Sequence, residues 1–266
     1  MKFLERIIAG KLEESRRLLA ADVFEAFKGD IARRPTPLSL KAALDGKVGR
    51  ALIAEIKRAS PSKGELGMGW DPVDLARIYE ANGAAAISVL TETEYFKGDP
   101  NFIRLIRPGC TIPILRKDFI LEPIQVYESA ALGADALLLI VGLLTPAQFK
   151  ALLALTHILG LEALAEVHTA AEMKISLAAG ARVIGINSRD LRTFKMYPER
   201  ALELAPMAPP QVTLVAASGL NSPQDLERLE KAGIHAFLVG ETLVTEGDPG
   251  RKLRELVGQE GGGKGL

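Results

Sequence analysis

The chain has 266 residues, with 33 basic residues against 33 acidic residues. This length fits one large α/β domain or two small ones, and the balanced charge offers no basic surface for nucleic acid or membranes. A single cysteine, Cys110, excludes an internal disulfide and favours a reducing compartment. The N-terminus is too charged for a signal peptide and no run is long enough to span a bilayer, so we predict a cytoplasmic protein.

The first 48 residues predict helices that precede the repeated part of the chain. Apolar residues recur at helical spacing from Phe3 to Leu19, and a second helix is expected near residues 22–29, before a proline-rich connection. We expect residues 1–48 to be a helical extension of a single domain that spans 1–266, and residues 258–266 to be a disordered tail.

Five segments share one pattern, in which a glycine follows a helix-like stretch and leads into a short apolar run. Such a glycine suits the left-handed position that ends a helix, so each segment predicts a helix-to-strand junction. At four other places a capping side chain precedes a proline, as at the start of a helix. The glycines are Gly83, Gly133, Gly160, Gly180 and Gly233, and the capping pairs are Asp71-Pro72, Asp99-Pro100, Thr145-Pro146 and Ser222-Pro223.

The apolar runs give eight predicted strands, centred near residues 53, 88, 114, 138, 164, 185, 215 and 238. Strands that alternate with helices at this spacing pair in parallel, and about 250 residues with eight such units is the size of a (β/α)8 barrel. We therefore predict an α/β fold, a (β/α)8 TIM barrel with an N-terminal helical extension. A doubly wound open sheet is the alternative.

The predicted strands end in polar residues, at the end where barrel enzymes place their chemistry. Glu55 and Lys57 share one face of the first strand, Lys117 ends the third strand and Glu166 ends the fifth. Each of them alone could be a solvated residue or part of a structural ion pair. Together they place two cations and two carboxylates around one mouth, where acid and base roles can be divided between them.

Two strand ends that contain glycine predict an anion site. The seventh run ends in Ser218-Gly219 and the eighth in Gly240-Glu241, where barrels often bind phosphate through backbone amides. A tight turn explains either glycine alone, but Ser60 and the charged end of the first strand favour a phosphate. The fourth run ends in apolar residues and predicts a hydrophobic wall.

The histidines show no pattern for a metal site. His157, His168 and His235 lack the spacing of metal ligands, and we interpret them as residues on the surface or behind the site. The sequence contains no Ser-His-Asp arrangement, GxGxxG or GKS/T motif. No metal is therefore predicted.

Eight short motifs, in chain order, resemble the strand ends of the indole-3-glycerol phosphate synthase family. They are LIAEIKRASPSKG, SVLTETEYFKGD, PILRKDFI, ALLLIVGLL, ALAEVHT, IGINSRDLRTF, VAASGL and FLVGETLV. The resemblance implies a carbon-carbon lyase of tryptophan biosynthesis that works without cofactor or metal. Its substrate would be 1-(2-carboxyphenylamino)-1-deoxyribulose 5-phosphate, a small phosphorylated molecule, and its products indole-3-glycerol phosphate, CO₂ and water. The expected oligomeric state is a monomer.

The resemblance also implies roles for individual residues. Lys117 would be the general acid at the substrate's ketone, with Glu166 handling protons, and an ammonium of lowered pKa would suit this task. Lys57 would bind the anthranilate carboxylate and is a candidate acid in dehydration, Glu55 would orient both lysines, and Asn187 would hold the ribulose hydroxyls. Further expected substrate contacts are Ser60, Gly219, Gly240 and Glu241 at the phosphate, Phe96, Phe119 and Leu138 at the aromatic ring, and Arg189 and Ser218.

One position departs from the family pattern. Family members usually carry a glutamate before Ser218-Gly219, whereas this chain has Ala217. The alanine removes a carboxylate expected to contact the substrate or tune the lysines, so either this homologue works without it or turnover falls by orders of magnitude while binding survives. The alternatives are therefore an impaired barrel that only binds a phosphate ligand, or another phosphate-binding barrel enzyme, such as a phosphoribosyl isomerase or a Schiff-base aldolase.

Overall fold

The computed structural model describes residues 3–61, 63–66, 69–245 and 247–259, in which eight parallel strands close into a barrel. The strands follow one another around the barrel in chain order, and the last pairs with the first. All strand edges in the barrel are thus paired, which confirms the predicted (β/α)8 barrel and excludes an open sheet. The strands are β1 (Ala51–Ile56), β2 (Ala86–Leu90), β3 (Ile114–Lys117), β4 (Ala136–Ile140), β5 (Glu162–Val167), β6 (Val183–Asn187), β7 (Thr213–Ala217) and β8 (Ala236–Val239).

Helices precede the barrel and connect its strands. The first two confirm the helices predicted near residues 3–19 and 22–29, although the second begins at Phe24 and continues to Arg33. A short antiparallel hairpin pairs Ala59–Ser60 with Gly64–Glu65 after β1. The helices are α1 (Phe3–Ala20), α2 (Phe24–Arg33), α3 (Leu40–Asp45), α4 (Pro72–Ala81), α5 (Asn101–Ile106), α6 (Pro123–Leu132), α7 (Pro146–Ile158), α8 (Ala170–Ala178), α9 (Arg200–Leu204), α10 (Pro223–Glu230), α11 (Glu241–Thr245) and α12 (Pro249–Val257).

The helix ends carry the signals that the sequence predicted. All five junction glycines have a left-handed φ, between 74° at Gly160 and 93° at Gly83. The predicted caps at α4, α7 and α10 accept hydrogen bonds from backbone N–H groups of the first turn. Asp99 accepts the N–H of Asn101 at 2.8 Å, so it also caps a helix, although α5 begins one residue later than its proline.

Two apolar clusters hold the barrel. One lies between the strands and the surrounding helices, and the other fills the barrel interior with side chains such as Ile53, Leu115 and Leu164. Each fully buried aliphatic side chain contributes about 1.5–3 kcal/mol relative to an exposed one. The interior cluster gives the strands a rigid frame, which fixes where their C-terminal ends lie.

The helices of residues 1–48 cover both ends of the barrel. At the N-terminal ends of the strands, α3 packs against β1, β2 and β7, and the N–H of Lys41 donates to Glu162 at 2.7 Å. At the opposite end, the Phe3 ring of α1 lies 4.7 Å from that of Tyr95 and 5.1 Å from that of Phe194. Helix α1 therefore bridges loops that follow β2 and β6.

The C-terminal residues end in a capped helix. Gly258 caps α12 with a φ of 80°, and the N–H of Gln259 donates to Arg254 O at 2.9 Å. The rest of the predicted tail, residues 260–266, lies outside the described residues. Among the described helices none is both long and apolar enough to cross a membrane.

Candidate active site

A cavity of about 300 Å³ opens at the C-terminal ends of the strands, where the sequence placed its polar residues. It is lined by eleven of the fourteen predicted site residues, which come from β1, β3, β6, β7, β8, the loops after them and the loop after β2. They are Glu55, Lys57, Ser60, Phe96, Lys117, Asn187, Arg189, Ser218, Gly219, Gly240 and Glu241. Phe119, Leu138 and Glu166 do not line it, and each is buried.

Glu55 holds two lysines of the cavity, Lys57 and Lys117. Its Oε1 lies 3.3 Å from Lys57 Nζ, and its Oε2 lies 3.1 Å from Lys117 Nζ. The Glu55 side chain is buried, whereas both lysines are partly open to the cavity. Burial would raise the pKa of Glu55, but the ammonium groups of Lys117 and Lys57 offset this effect and hold the pKa below its usual value. Glu55 therefore remains a carboxylate that orients both cations.

Lys117 differs from expectation in its ionisation. Burial lowers its pKa, but the carboxylates of Glu55 and Glu166 outweigh burial, so the pKa is raised above the usual lysine value. The expectation of a lowered pKa was wrong, because the sequence did not reveal how closely these carboxylates approach the ammonium. Lys117 is consequently charged at neutral pH and carries a proton that it can donate.

The end of β8 approaches Glu55 so closely that only glycine fits at position 240. A Cβ atom on Gly240 would lie 2.5 Å from Glu55 Oε1 and 2.9 Å from Glu55 Cβ. The sequence suggested that this glycine brings backbone near an anion, and the structure adds a second reason, since it leaves space for the carboxylate that holds the lysines.

The loops after β7 and β8 form the other side of the cavity. Ser218 and Gly219 both adopt a left-handed φ, of 70° and 76°. Glu241 begins α11, and its carboxylate oxygens lie 3.5 Å from Lys63 Nζ and 3.9 Å from an Arg189 nitrogen. Two cations thus face this side of the cavity, one of which, Lys63, the sequence analysis did not select.

Phe96 forms an aromatic wall of the cavity and is held there by Glu92. The buried carboxylate of Glu92 accepts the backbone N–H groups of Glu94, Tyr95 and Phe96 at 2.8 to 3.0 Å. The Phe96 ring centroid lies 5.9 Å from Lys57 Nζ. The sequence analysis assigned no role to Glu92, because a carboxylate that accepts hydrogen bonds from its own loop has no distinctive spacing in the sequence.

Phe119 and Leu138 lie behind this wall. The Phe119 ring is 6.2 Å from that of Phe96, and Leu138 belongs to the apolar interior of the barrel. Their predicted contact with an aromatic ligand stays a prediction, since neither lines the cavity.

Glu166 lies at the end of β5, close enough to Lys117 to raise the pKa of that lysine. Its Oε1 is also 3.5 Å from Nε2 of His168, a residue that the sequence analysis placed on the surface or behind the site. The sequence does contain a sign of this contact. His168 follows Glu166 by two positions, and side chains two positions apart can lie on the same face of a strand.

Position 217 faces the same cavity. Ala217 ends β7, lines the cavity and pairs in register with Asn187 of β6. No carboxylate therefore reaches the lysines from β7, and Glu55 of β1 is the group that contacts both of them. Among the described residues, no group of three or more His, Cys, Asp or Glu side chains could hold a metal ion.

Comparisons with known proteins assign nearly the full chain to one family. A family model described as indole-3-glycerol phosphate synthase matches residues 4–256. The chain is 46% identical to the protein of that name from Carboxydothermus hydrogenoformans, over 96% of this chain and 99% of the relative. It is 45% identical to the one from Dehalococcoides mccartyi, over 96% and 99%.

At the level of fold alone, the chain is similar to solved barrels of low sequence identity. The structure of 3-hexulose-6-phosphate synthase from Salmonella typhimurium matches with a TM-score of 0.62 at 13% identity, over 79% of this chain and 97% of that chain. From the family match and the two relatives, the chain belongs to the indole-3-glycerol phosphate synthase family.

Proposed function

We propose that the protein converts 1-(2-carboxyphenylamino)-1-deoxyribulose 5-phosphate into indole-3-glycerol phosphate, with release of CO₂ and water, in tryptophan biosynthesis. Family membership across residues 4–256 supports this reaction. The observation that carries it is the single buried carboxylate of Glu55 between Lys57 and Lys117 in one cavity. As an enzyme of amino-acid biosynthesis, the protein would act as a monomer in the cytoplasm.

Lys117 is the general acid of ring closure in this proposal. When a carbon of the aryl ring attacks the ketone carbon, the ketone oxygen gains an electron pair and takes a proton from the Lys117 ammonium. The contact of Lys117 with Glu55 at 3.1 Å keeps that ammonium charged and aimed from the end of β3. Loss of CO₂ then restores the aromatic ring, because the electron pair of the broken C–C bond stays with the ring and no proton is released. In the dehydration that follows, the hydroxyl formed from the ketone leaves as water with a proton from Lys57, and Glu166 accepts the proton lost from the neighbouring CH₂ carbon.

Lys57 and the loops after β7 and β8 bind the two anionic ends of the substrate in this proposal. Lys57 binds the anthranilate carboxylate beside the Phe96 ring, which lies 5.9 Å from its Nζ, and it is the candidate acid for dehydration. Holding a flexible chain at both ends lowers the entropy cost of ring closure. The phosphate contacts are Ser60, Ser218, Gly219, Gly240, Arg189 and the Glu241 backbone, and Asn187 holds the ribulose hydroxyls.

Ala217 favours a second candidate, a barrel that binds the phosphorylated ligand with little turnover. Its small side chain leaves Glu55 as the carboxylate that contacts both lysines. Catalysis requires interactions that are stronger in the transition state than in the bound substrate. A site without the second carboxylate could therefore keep its affinity while its kcat falls.

The two candidates differ in one measurement. Purified protein is mixed with 1-(2-carboxyphenylamino)-1-deoxyribulose 5-phosphate, and indole fluorescence is followed beside calorimetric binding, with Lys117→Met as the matched control. Fluorescence that grows with time and is lost in Lys117→Met supports the proposed reaction. Binding without an indole signal would support the ligand-binding barrel, and covalent trapping by borohydride would indicate an aldolase.

A further inference from the structure

His168 lies partly buried between two carboxylates, directly behind the strand end that carries Glu166. Its Nε2 is 3.5 Å from Glu166 Oε1, and its Nδ1 is 3.5 Å from Glu172 Oε2. The His168 side chain is 11% exposed, and Nε2 is a buried atom without a hydrogen-bond partner in the described residues. The Glu166 carboxylate is thus the acceptor within reach of this nitrogen.

Glu172 is held in place independently of the imidazole ring. Its Oε2 accepts the backbone N–H of His168 at 2.6 Å, and its own N–H donates to Thr169 Oγ1 at 3.2 Å, at the start of α8. A Cβ atom on Gly142 would lie 2.9 Å from Glu172 Oε1, so little space remains around this carboxylate. Because Glu172 is fixed, it fixes the ring of His168 as well.

The ring of His168 lies outside the cavity that contains the lysines. It lines a separate cavity of about 590 Å³, together with Tyr197 and Arg200. His168 therefore reaches the reaction only through Glu166, which in turn acts on Lys117.

Charged groups from three elements act on the ring. They are Glu166 at the end of β5, Glu172 on α8 and Arg200 on α9. Burial and Arg200 lower the pKa of His168, but the two carboxylates outweigh them and raise it above its ordinary value of 6.5. The charged form of the ring therefore persists to a higher pH than in an ordinary histidine, in keeping with a carboxylate beside each ring nitrogen.

On the basis of the proposed function, we propose that His168, held by Glu172, is a positioning residue for Glu166. The protonated ring offers an N–H to Glu166 from outside the substrate cavity and fixes the orientation in which this carboxylate accepts a proton. No covalent step involves His168, and its charge is unchanged over one turnover.

The kinetic test compares His168→Gln, His168→Ala and the control His157→Gln, whose histidine is exposed on α7. We expect kcat to fall about tenfold in His168→Ala, less in His168→Gln because its amide still donates, and KM to change less than about twofold. Wild-type kcat should decrease as the pH rises through the pKa of His168, and this decrease should be absent from both variants. Unchanged kcat and pH dependence in folded His168→Ala would overturn the proposal.

A second measurement does not depend on turnover. NMR titration of the His168 ring, assigned with His168→Gln, gives its midpoint in the wild type, Glu166→Gln and Glu172→Gln. We expect each loss of a carboxylate to lower the midpoint by about one pH unit. An unchanged midpoint in Glu166→Gln would overturn the proposal even if the enzyme is active. If the wild type forms no indole product while the midpoint falls, the proposed function and this role in it are both overturned.

Discussion

Two groups of charged side chains lie on opposite faces of the end of β3, at residues 116–118. The outward group contains Arg116 and Asp118, and the inward group contains Lys117 with Glu55 and Lys57. The two groups differ in how many of their hydrogen-bonding atoms have partners. Arg116 and Asp118 face the surrounding helices, whereas Lys117 faces the cavity. Alternation along the strand makes this division inevitable, since neighbouring side chains point to opposite faces. The comparison shows how one tripeptide can serve both stability and chemistry.

Asp118, at the centre of the outward group, is saturated, because both of its oxygens accept hydrogen bonds. Asp118 Oδ2 accepts from Lys11 Nζ at 3.0 Å, Thr91 Oγ1 at 2.6 Å and Arg116 Nη2 at 3.1 Å. Its other oxygen accepts the N–H of Phe119 at 2.8 Å. The guanidinium of Arg116 is fully buried, and it also bonds the Ser129 hydroxyl and pairs with a carboxylate of α6. Such a group stabilises one arrangement of α1, β3 and α6 and leaves nothing for a ligand.

The inward group is incomplete. Lys57 and Lys117 share the one carboxylate of Glu55. Both ammonium groups keep donors that face the cavity. Buried charge with unused bonding capacity beside a cavity is the arrangement that a reaction needs, because a substrate can complete it.

Removing the inward cation should have the largest effect on activity. We expect Lys117→Met to lower kcat about 10³-fold, because the ketone oxygen loses its proton donor. Folding stability should change little, since Glu55 keeps its contact with Lys57 at 3.3 Å and the substitution is apolar. Steady-state kinetics and thermal unfolding check this, with Lys174→Met on the exposed face of α8 as the control. A large loss of stability without loss of kcat would mean that Lys117 stabilises the fold and does not act in the reaction.

Breaking the outward group should instead reduce stability. We expect Asp118→Asn to lower the free energy of unfolding by about 1–3 kcal/mol, because Lys11 and Arg116 lose the buried carboxylate that they share and keep only Glu14 and Glu128 as partners. Denaturant unfolding measures this change. The control is Asp74→Asn, which removes an exposed pair with Arg77 and should cost less than about 1 kcal/mol. Equal losses in the two variants would contradict a structural role for the buried group.

Asp118 should also make the stability of the protein depend on pH. Burial raises the pKa of Asp118, but Lys11 and Arg116 outweigh it, so the folded-state pKa lies below the ordinary value of 3.8. The contribution of Asp118 is therefore fully present above that value and is lost as the pH falls through the folded-state pKa. The gap in stability between wild type and Asp118→Asn should narrow in acid, and a gap that widens there would be inconsistent with this sign.

Adding a carboxylate to the inward group should raise activity by a smaller factor. Ala217 lines the cavity that contains both lysines, so Ala217→Glu would supply a second carboxylate from β7. We expect kcat to rise roughly 10- to 100-fold with little change in KM, because charge would be better placed in the transition state. Ala217→Gln has nearly the same shape without the charge and should not reproduce the gain. An equal rate in all three proteins would mean that position 217 has no part in the reaction.

The sequence predicted the secondary structure and the fold better than the pKa values of individual side chains. Junction glycines such as Gly83 and caps such as Asp71 act locally, so eight strands and the helices between them could be predicted from short patterns. The convergence of Lys57 and Lys117 followed from the barrel rule for strand ends. The raised pKa of Lys117 could not be foreseen, because it depends on distances between residues far apart in the chain.

Glu92 does not fit the division into a saturated outward group and an incomplete inward group. Its carboxylate has its hydrogen-bond partners, yet it holds a residue that lines the cavity. It accepts three backbone N–H groups of the loop after β2 and thereby holds Phe96 against Lys57. We expect Glu92→Gln to raise KM about fivefold with kcat nearly unchanged, because an amide loses acceptor capacity and the aromatic wall loosens before chemistry begins.

Steady-state kinetics of Glu92→Gln measure this effect, and Glu94→Gln, an exposed carboxylate of the same loop, is the matched control. A fall in kcat at constant KM would place Glu92 with the residues that act in the transition state. A KM equal to that of the control would mean that the loop keeps Phe96 in place without the carboxylate. The expected result would show that saturated charge can tune binding while leaving the chemical step to the incomplete group.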